Sequence, residues 1–194
     1  MEKSKRQIQK EQTKEKIIKA AFKVYSEGGF TTATSTIAKE AGVAHGSIFL
    51  HFPTLEDLIC CLLAEFENSI GAKFLRLSET DGGIEELLGA HIDILSEYEQ
   101  FYTRLISEAT LLPISAKTLL TKLQSDLAAN FNRLIEQGVE EKIIRRLPVN
   151  LLFNTWIGLI HYYLSNSESF AQDGQVLKRY KKQLIFTYCE LIRR

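Results

Sequence analysis

The chain has 194 residues, 45% of them hydrophobic and 25% charged, which excludes a disordered chain and leaves room for a small head and a medium-sized body. Its 24 Lys and Arg balance 24 Asp and Glu, so no global charge advertises a polyanionic partner. Three cysteines, two of them adjacent at Cys60 and Cys61, fit a reducing compartment rather than a disulfide framework. His45, His51, His91 and His161 lack metal-ligand spacing, and the expectation is no metal and no cofactor.

The charge is nevertheless uneven. Lys3, Lys5, Arg6, Lys10, Lys14, Lys16, Lys19 and Lys23 face only Glu2, Glu11 and Glu15 in the opening stretch, a local basic arm able to contact phosphates. That stretch lacks the apolar core of a secretory leader. The longest apolar-rich run, Leu151 to Leu164, is broken by Asn154, Thr155 and His161 and is too short to span a bilayer. The expectation is a soluble, cytoplasmic protein with no membrane partner.

Taken in chain order, the spacing is helical throughout and predicts an all-α fold of about nine helices. Ile17, Ala21 and Val24, flanked by Ile18, Phe22 and Tyr25, make the apolar stripe of a first helix, which Gly28-Gly29 ends. A short second helix runs from Ser35 to Ala41 and a third from about Gly46 to His51. After Pro53, Thr54 caps a fourth helix, with Asp57 as the reciprocal acid of a capping box, and that helix extends to about Leu75. Ser78 to Gly83 reads as a loop. Helices follow over Ile84–Tyr98, Glu99–Leu111 and Ser115–Gln137. Pro148 opens a strongly apolar helix to Leu164, a polar loop spans Ser165 to Gly174, and a last helix begins at Gln175.

The informative stretch is Ser35 to Phe52, STIAKEAGVAHGSIFLHF. Two helices crossing steeply need a small side chain where their backbones approach, and Ala38 supplies one. The turn between them needs a residue at ease with positive φ, which Gly42 provides. Ile48, with Ile37, Val43 and Phe52, plugs the core beneath the crossing. Ala44, His45, Gly46 and Ser47, small or polar, open the second helix of the pair, where a helix-turn-helix presents side chains to base edges.

With the helix ending in Gly28-Gly29-Phe30 before it and HFPTLEDL after it, this stretch resembles the TetR family of repressors over about residues 11 to 60. The resemblance implies a three-helix DNA-binding head at 11–57, with its helix-turn-helix at about 34–52. It also implies a ligand-binding and dimerisation body at 58–194. Thr34, Ser35, Ala44, His45, Gly46, Ser47, Phe49, His51 and Lys14 are the expected DNA-binding residues. Two departures stand out. Phe49 and His51 occupy the aromatic pair where the family commonly has tyrosines, so an imidazole replaces a phosphate-binding hydroxyl, and Leu55 stands where a lysine is common. The Thr31–Thr36 approach is also about one residue short, which leaves Thr34 or Ser35 as the helix cap.

In the body the aromatic surplus must mostly be core. A subset, Phe66, His91, Phe101, Tyr102, Phe131, Trp156 and Tyr162, is expected to line an effector pocket. Mid-helix Gly158 costs about 1 kcal/mol relative to alanine and calls for a packing reason. The resemblance implies that the last two long helices form the dimer interface, with Asn154, Gly158, His161, Leu184, Tyr188 and Leu191 as the expected contacts, and their apolarity fits a covered surface. No ordered nucleophile–base pair and no phosphate loop supports an enzyme. The partners that the resemblance implies are double-stranded operator DNA, a second copy of the chain and a small-molecule effector. The alternative is a helical DNA-binding or interaction module with no effector pocket.

Overall fold

The computed structural model describes residues 4–78, 82–171 and 175–194, with the backbone alone for 72–78. Lys3, the side chain of Phe74 and the middle of the expected loop after Ser78 lie outside the described residues, as does the end of the polar loop before Gln175. Among the described residues there are ten α-helices, one 3-10 turn and no strand. The fold is all-α, as expected. The additional helix, α9, is a single turn, Ser167–Phe170, inside the stretch expected to be loop. It is too short to show a helical period in the sequence.

Two compact units emerge, one of residues 1–66 with 104–120 and one of residues 67–103 with 121–194. The first opens with α1 (Lys5–Gly28), whose start is closed by a reciprocal Ser4–Gln7 capping box. Ile17, Ala20, Ala21, Val24 and Tyr25 bury one face of it at the spacing of successive turns. Gly29, at φ 76°, ends the helix in a conformation that a β-carbon disfavours. There follow α2 (Thr34–Ala41), α3 (His45–His51) and α4 (Leu55–Ser78). Between α2 and α3, Gly42 is left-handed at φ 66°, and the Val43 amide closes the turn onto the Ala38 carbonyl at 3.0 Å. Ile37, Ala38, Ile48 and Phe52 are buried beneath the crossing.

The α4 start carries the expected capping box. The Thr54 amide and hydroxyl both donate to Asp57 Oδ2, at 2.9 and 2.7 Å, and the Asp57 amide returns to Thr54 Oγ1 at 3.0 Å. At the α2 start the structure corrects the expectation. Ala33 is the N-cap and no side chain closes it, so Thr34 is the first helical residue and neither Thr34 nor Ser35 caps.

The second unit is built on α5 (Ile84–Glu97), parts of α6 (Glu99–Ser107) and α7 (Ile114–Glu140), α8 (Val149–Ser165) and α10 (Val176–Ile192). Leu152, Trp156, Ile160 and Leu164 recur every fourth residue on the buried face of α8. They meet Leu184, Ile185, Tyr188 and Ile192 from α10 in a continuous core with Phe131 and Ile135 of α7. The Trp156 and Tyr188 rings stand 5.2 Å apart, and Tyr188 Oη donates to the Leu152 carbonyl at 2.7 Å. Among the described residues no single helix is long and apolar enough to cross a membrane.

Candidate nucleic-acid interface

The start of α3 is the most open part of the helix pair. Ala44, its N-cap, and His45 and Gly46 are exposed, Ser47 is half-buried, and Ile48 below them is 1% exposed. The buried isoleucine fixes the helix on its partner and leaves the preceding residues pointing at solvent. A β-carbon on Gly46 would meet nothing within 4 Å, so that surface is free for an incoming partner. Phe49 and Leu50 are exposed as well, at 42% and 79%. Leu50 is an apolar contact that the sequence reading did not single out.

The expected residues are brought together in two groups. In one, Thr34 Oγ1 and His45 Nε2 lie 2.8 Å apart, and Phe49 meets the His45 ring edge-on at 5.5 Å between centroids. In the other, the Lys14 ammonium stands 5.7 Å from the centroid of Phe52. His51, half-buried at the end of α3, has its imidazole pKa pushed down, first by burial and then by the charges of Lys10 and Lys14. Lys10, Lys14 and His51 thus form one basic cluster, and a phosphate placed there would favour protonation of the imidazole. Ser35 is exposed on the first turn of α2.

No local pattern marks the anchor that residues 104–120 provide within the same unit. The Phe30 amide donates to Glu108 Oε2 at 2.7 Å, and Arg104 donates to the Glu27 carbonyl at 3.1 Å, both at the end of α1. A β-carbon on Gly29 would lie 2.2 Å from Glu108 Oε1, so glycine serves there for both its φ and its lack of bulk. Ser115 donates to Glu56 and also contacts Cys60 Sγ at 3.2 Å. These partners lie 55 to 78 residues apart, a separation no local pattern reveals.

Of the residues expected to line a pocket, Phe66 is buried at the edge of the first unit. In the second, His91, Phe101, Tyr102, Phe131 and Trp156 are all buried. The Trp156 indole donates to His91 Nδ1 at 2.9 Å, which fixes the neutral imidazole with its proton on Nε2. Burial pushes the His91 pKa down to about 3, with the nearby His161 adding to the shift. Tyr102 Oη pairs with His161 Nε2 at 2.9 Å; burial raises the phenol pKa and lowers that of His161. Tyr162 is apart from this group, 59% exposed and stacked edge-on with Tyr163 and Phe170. A cleft of about 510 Å³ lies elsewhere in the unit, lined by Val139, Lys142, Ile144, Arg145, Arg146 and Arg194 among others.

The expected dimer contacts divide by helix face. Asn154, Gly158 and Leu191 are exposed, whereas Leu184 and Tyr188 are buried in the chain's own core and His161 turns to Tyr102. On the outward faces stand Leu151 and Tyr162 of α8 and Phe186 and Leu191 of α10, 57%, 59%, 67% and 54% exposed. Leu184 and Phe186 are only two residues apart, which on a helix separates buried from exposed.

Residues 17–59 match the family model described as bacterial regulatory proteins, tetR family. The chain is 25% identical to the HTH-type transcriptional regulator SrpR of Pseudomonas putida over 177 residues, 87% of this chain and 81% of that protein. The ketosteroid transcriptional regulator KstR2 of Mycobacterium tuberculosis superposes with a TM-score of 0.76 at 18% identity, over 92% of this chain and 93% of that one. FadR of Bacillus subtilis in complex with stearoyl-CoA gives 0.69 at 20%, over 91% and 98%. Over residues 17–59 the chain is thus similar to bacterial regulatory proteins of the tetR family, and its all-helical fold is that of these two solved regulators.

Proposed function

We propose that this chain is a TetR-family transcriptional regulator, a cytoplasmic repressor that binds a pseudo-palindromic operator as a homodimer and is released or modulated by a small, largely apolar effector. The observation that carries the reading is the opening of α3, where Ala44, His45 and Gly46 stand exposed above a buried Ile48. In this reading residues 11–57 are the DNA-binding head and 58–194 the ligand-binding and dimerisation body. Thr34, Ser35, Lys14 and His51 hold phosphates, while Ala44 to Ser47 and Phe49 face the bases.

The outward apolar faces of α8 and α10 support the homodimer. Leu151, Tyr162, Phe186 and Leu191 expose large apolar groups, and Gly158 between them has open space where a second backbone can approach. Asn154 and Leu191 flank that approach. For the effector, the support is the aromatic body together with the stearoyl-CoA bound to one structural neighbour, FadR of Bacillus subtilis, whose acyl chain is apolar. The mutual packing of Phe131, Trp156 and Tyr188 favours the second reading, a regulator with no effector pocket.

Selection of bound fragments from random double-stranded DNA tests the first part, with a two-fold-symmetric motif as the expected result. Light scattering at micromolar concentration should give a dimer that Gly158→Leu weakens by crowding the backbone approach. Ligand titration with and without operator decides the effector. A coupling of about 1–3 kcal/mol is expected, equal in both directions; identical affinities would leave the pocketless reading.

A further inference from the structure

Thr34 opens α2 without capping it, because Ala33 holds the N-cap position. Its hydroxyl is directed across the turn to the first residue of α3, with Oγ1 2.8 Å from His45 Nε2. Phe49, one turn along α3, holds the same ring edge-on at 5.5 Å. His45 is thus exposed and yet oriented by two neighbours. The two nitrogens of an imidazole point away from each other. With Nε2 turned to Thr34, Nδ1 is the nitrogen offered to a partner outside the chain.

What Nδ1 offers depends on Thr34. A neutral imidazole carries one proton, and a hydroxyl has one proton to donate. A hydroxyl that donates to Nε2 leaves the ring proton on Nδ1, which is then a donor. A hydroxyl that donates to a DNA phosphate can only accept from the ring. The proton must then sit on Nε2, and Nδ1 presents a lone pair. In the major groove the donors are the exocyclic amines of adenine and cytosine, while guanine and thymine present acceptors. We propose that Thr34 is a positioning residue that fixes the tautomer of His45 on DNA, so that His45 Nδ1 reads an adenine or cytosine amine at one position of each half-site. This rests on α3 being the recognition helix and on Thr34 meeting a phosphate.

The test is selection from random double-stranded DNA by the full-length protein and its Thr34→Val, Thr34→Ser and His45→Ala variants, each with an unchanged melting temperature. Valine keeps the branched shape of threonine and removes only the hydroxyl. The wild type should require adenine or cytosine at one half-site position by roughly tenfold. Thr34→Val should lose that preference and Thr34→Ser should restore it, whereas a structural or phosphate-only role would lower affinity equally for every base. Retention of the preference in Thr34→Val, with His45→Ala abolishing it, overturns the role of Thr34 and leaves the recognition helix standing. Retention in His45→Ala overturns the base-reading role of His45 itself. Nitrogen-15 resonances of His45 in the operator complex give a second readout: a protonated Nε2 is expected, and a protonated Nδ1 overturns the proposal.

Discussion

The polar side chains of the head and those of the second unit are bonded in opposite ways. In the helix pair and the α4 capping box they are exposed and their partners are near in sequence: Thr54 and Asp57 are three residues apart, Thr34 and His45 eleven. The enclosed ones of the second unit have partners far away in sequence. Trp156 and His91 are 65 residues apart, Tyr102 and His161 are 59, and Glu99 and Val176 are 77. Water competes for the first kind, so removing one partner costs little. A group without water must keep its partner or bear the full cost of desolvation. The same chemistry therefore leaves groups open to an incoming partner in one region and maintains integrity in the other.

The largest effect should fall on Glu99. This carboxylate is 7% exposed and accepts from the amides of Val176 and Leu177, at 2.7 and 3.1 Å. Those are the first free N–H groups of α10, whose own N-cap residue, Gln175, makes no side-chain cap. Glu99 caps a helix from another helix. At about 1.5–3 kcal/mol for each charge-assisted bond, Glu99→Ala should lose about 3–6 kcal/mol in urea denaturation. His45→Ala, its counterpart in the head, should stay within about 0.5 kcal/mol. Equal losses would dissolve the contrast.

His91 sharpens the contrast through pH. Its folded pKa, lowered to about 3 by burial, lies below the ordinary imidazole value of 6.5. Between those values the unfolded chain binds a proton that the folded chain refuses. The stabilising difference is complete above pH 6.5 and drains away as the pH falls toward 3, at about 1.4 kcal/mol per pH unit. His91→Gln keeps an acceptor for the Trp156 indole and does not titrate. Its stability should therefore lack that part of the slope. Parallel slopes for the two proteins would mean that His91 is protonated in the folded chain.

The contrast also explains what the sequence revealed. The Ala38–Gly42–Ile48 crossing and the Thr54–Asp57 box are set by residues within one or two turns of each other, and both stand where their spacing placed them. The α2 cap differs from the expectation because Thr34 has two possible partners. Its hydroxyl finds His45 rather than its own helix. In the body, helical spacing located α5, α7, α8 and α10 but could not say which stripe faces inward. Leu184 and Phe186 look alike in sequence, and only the register of α10 on α8 buries one and exposes the other. Glu99 and Glu108 carry no local mark at all, because a carboxylate opening or ending a helix reads as a solvated charge.

A smaller loss is expected at Thr54, which bonds only to its own helix start. Thr54→Ala removes the side-chain half of an exposed capping box and should cost about 1 kcal/mol in chemical denaturation. A loss as large as that at Glu99 would mean that local caps in the head carry as much of the stability as the buried pairs.

Lys14 should show almost nothing in stability and a clear effect in binding. Its ammonium lies near the Phe52 ring, an exposed cation–π contact of about 0.5 kcal/mol, and its charge helps to hold the His51 pKa down. Lys14→Ala should therefore leave the melting temperature within a degree or two, by the order of that contact. In the proposed role Lys14 would neutralise a phosphate and release a counterion, a release that does not depend on sequence. The plot of log affinity against log salt should become shallower by about 0.9, the contribution of one phosphate contact. Specific and random DNA should lose affinity by the same factor. An unchanged slope would remove Lys14 from the interface. A loss confined to the specific site would make it a reader of bases rather than an anchor, and the basic cluster with His51 would then belong with His45 and Thr34.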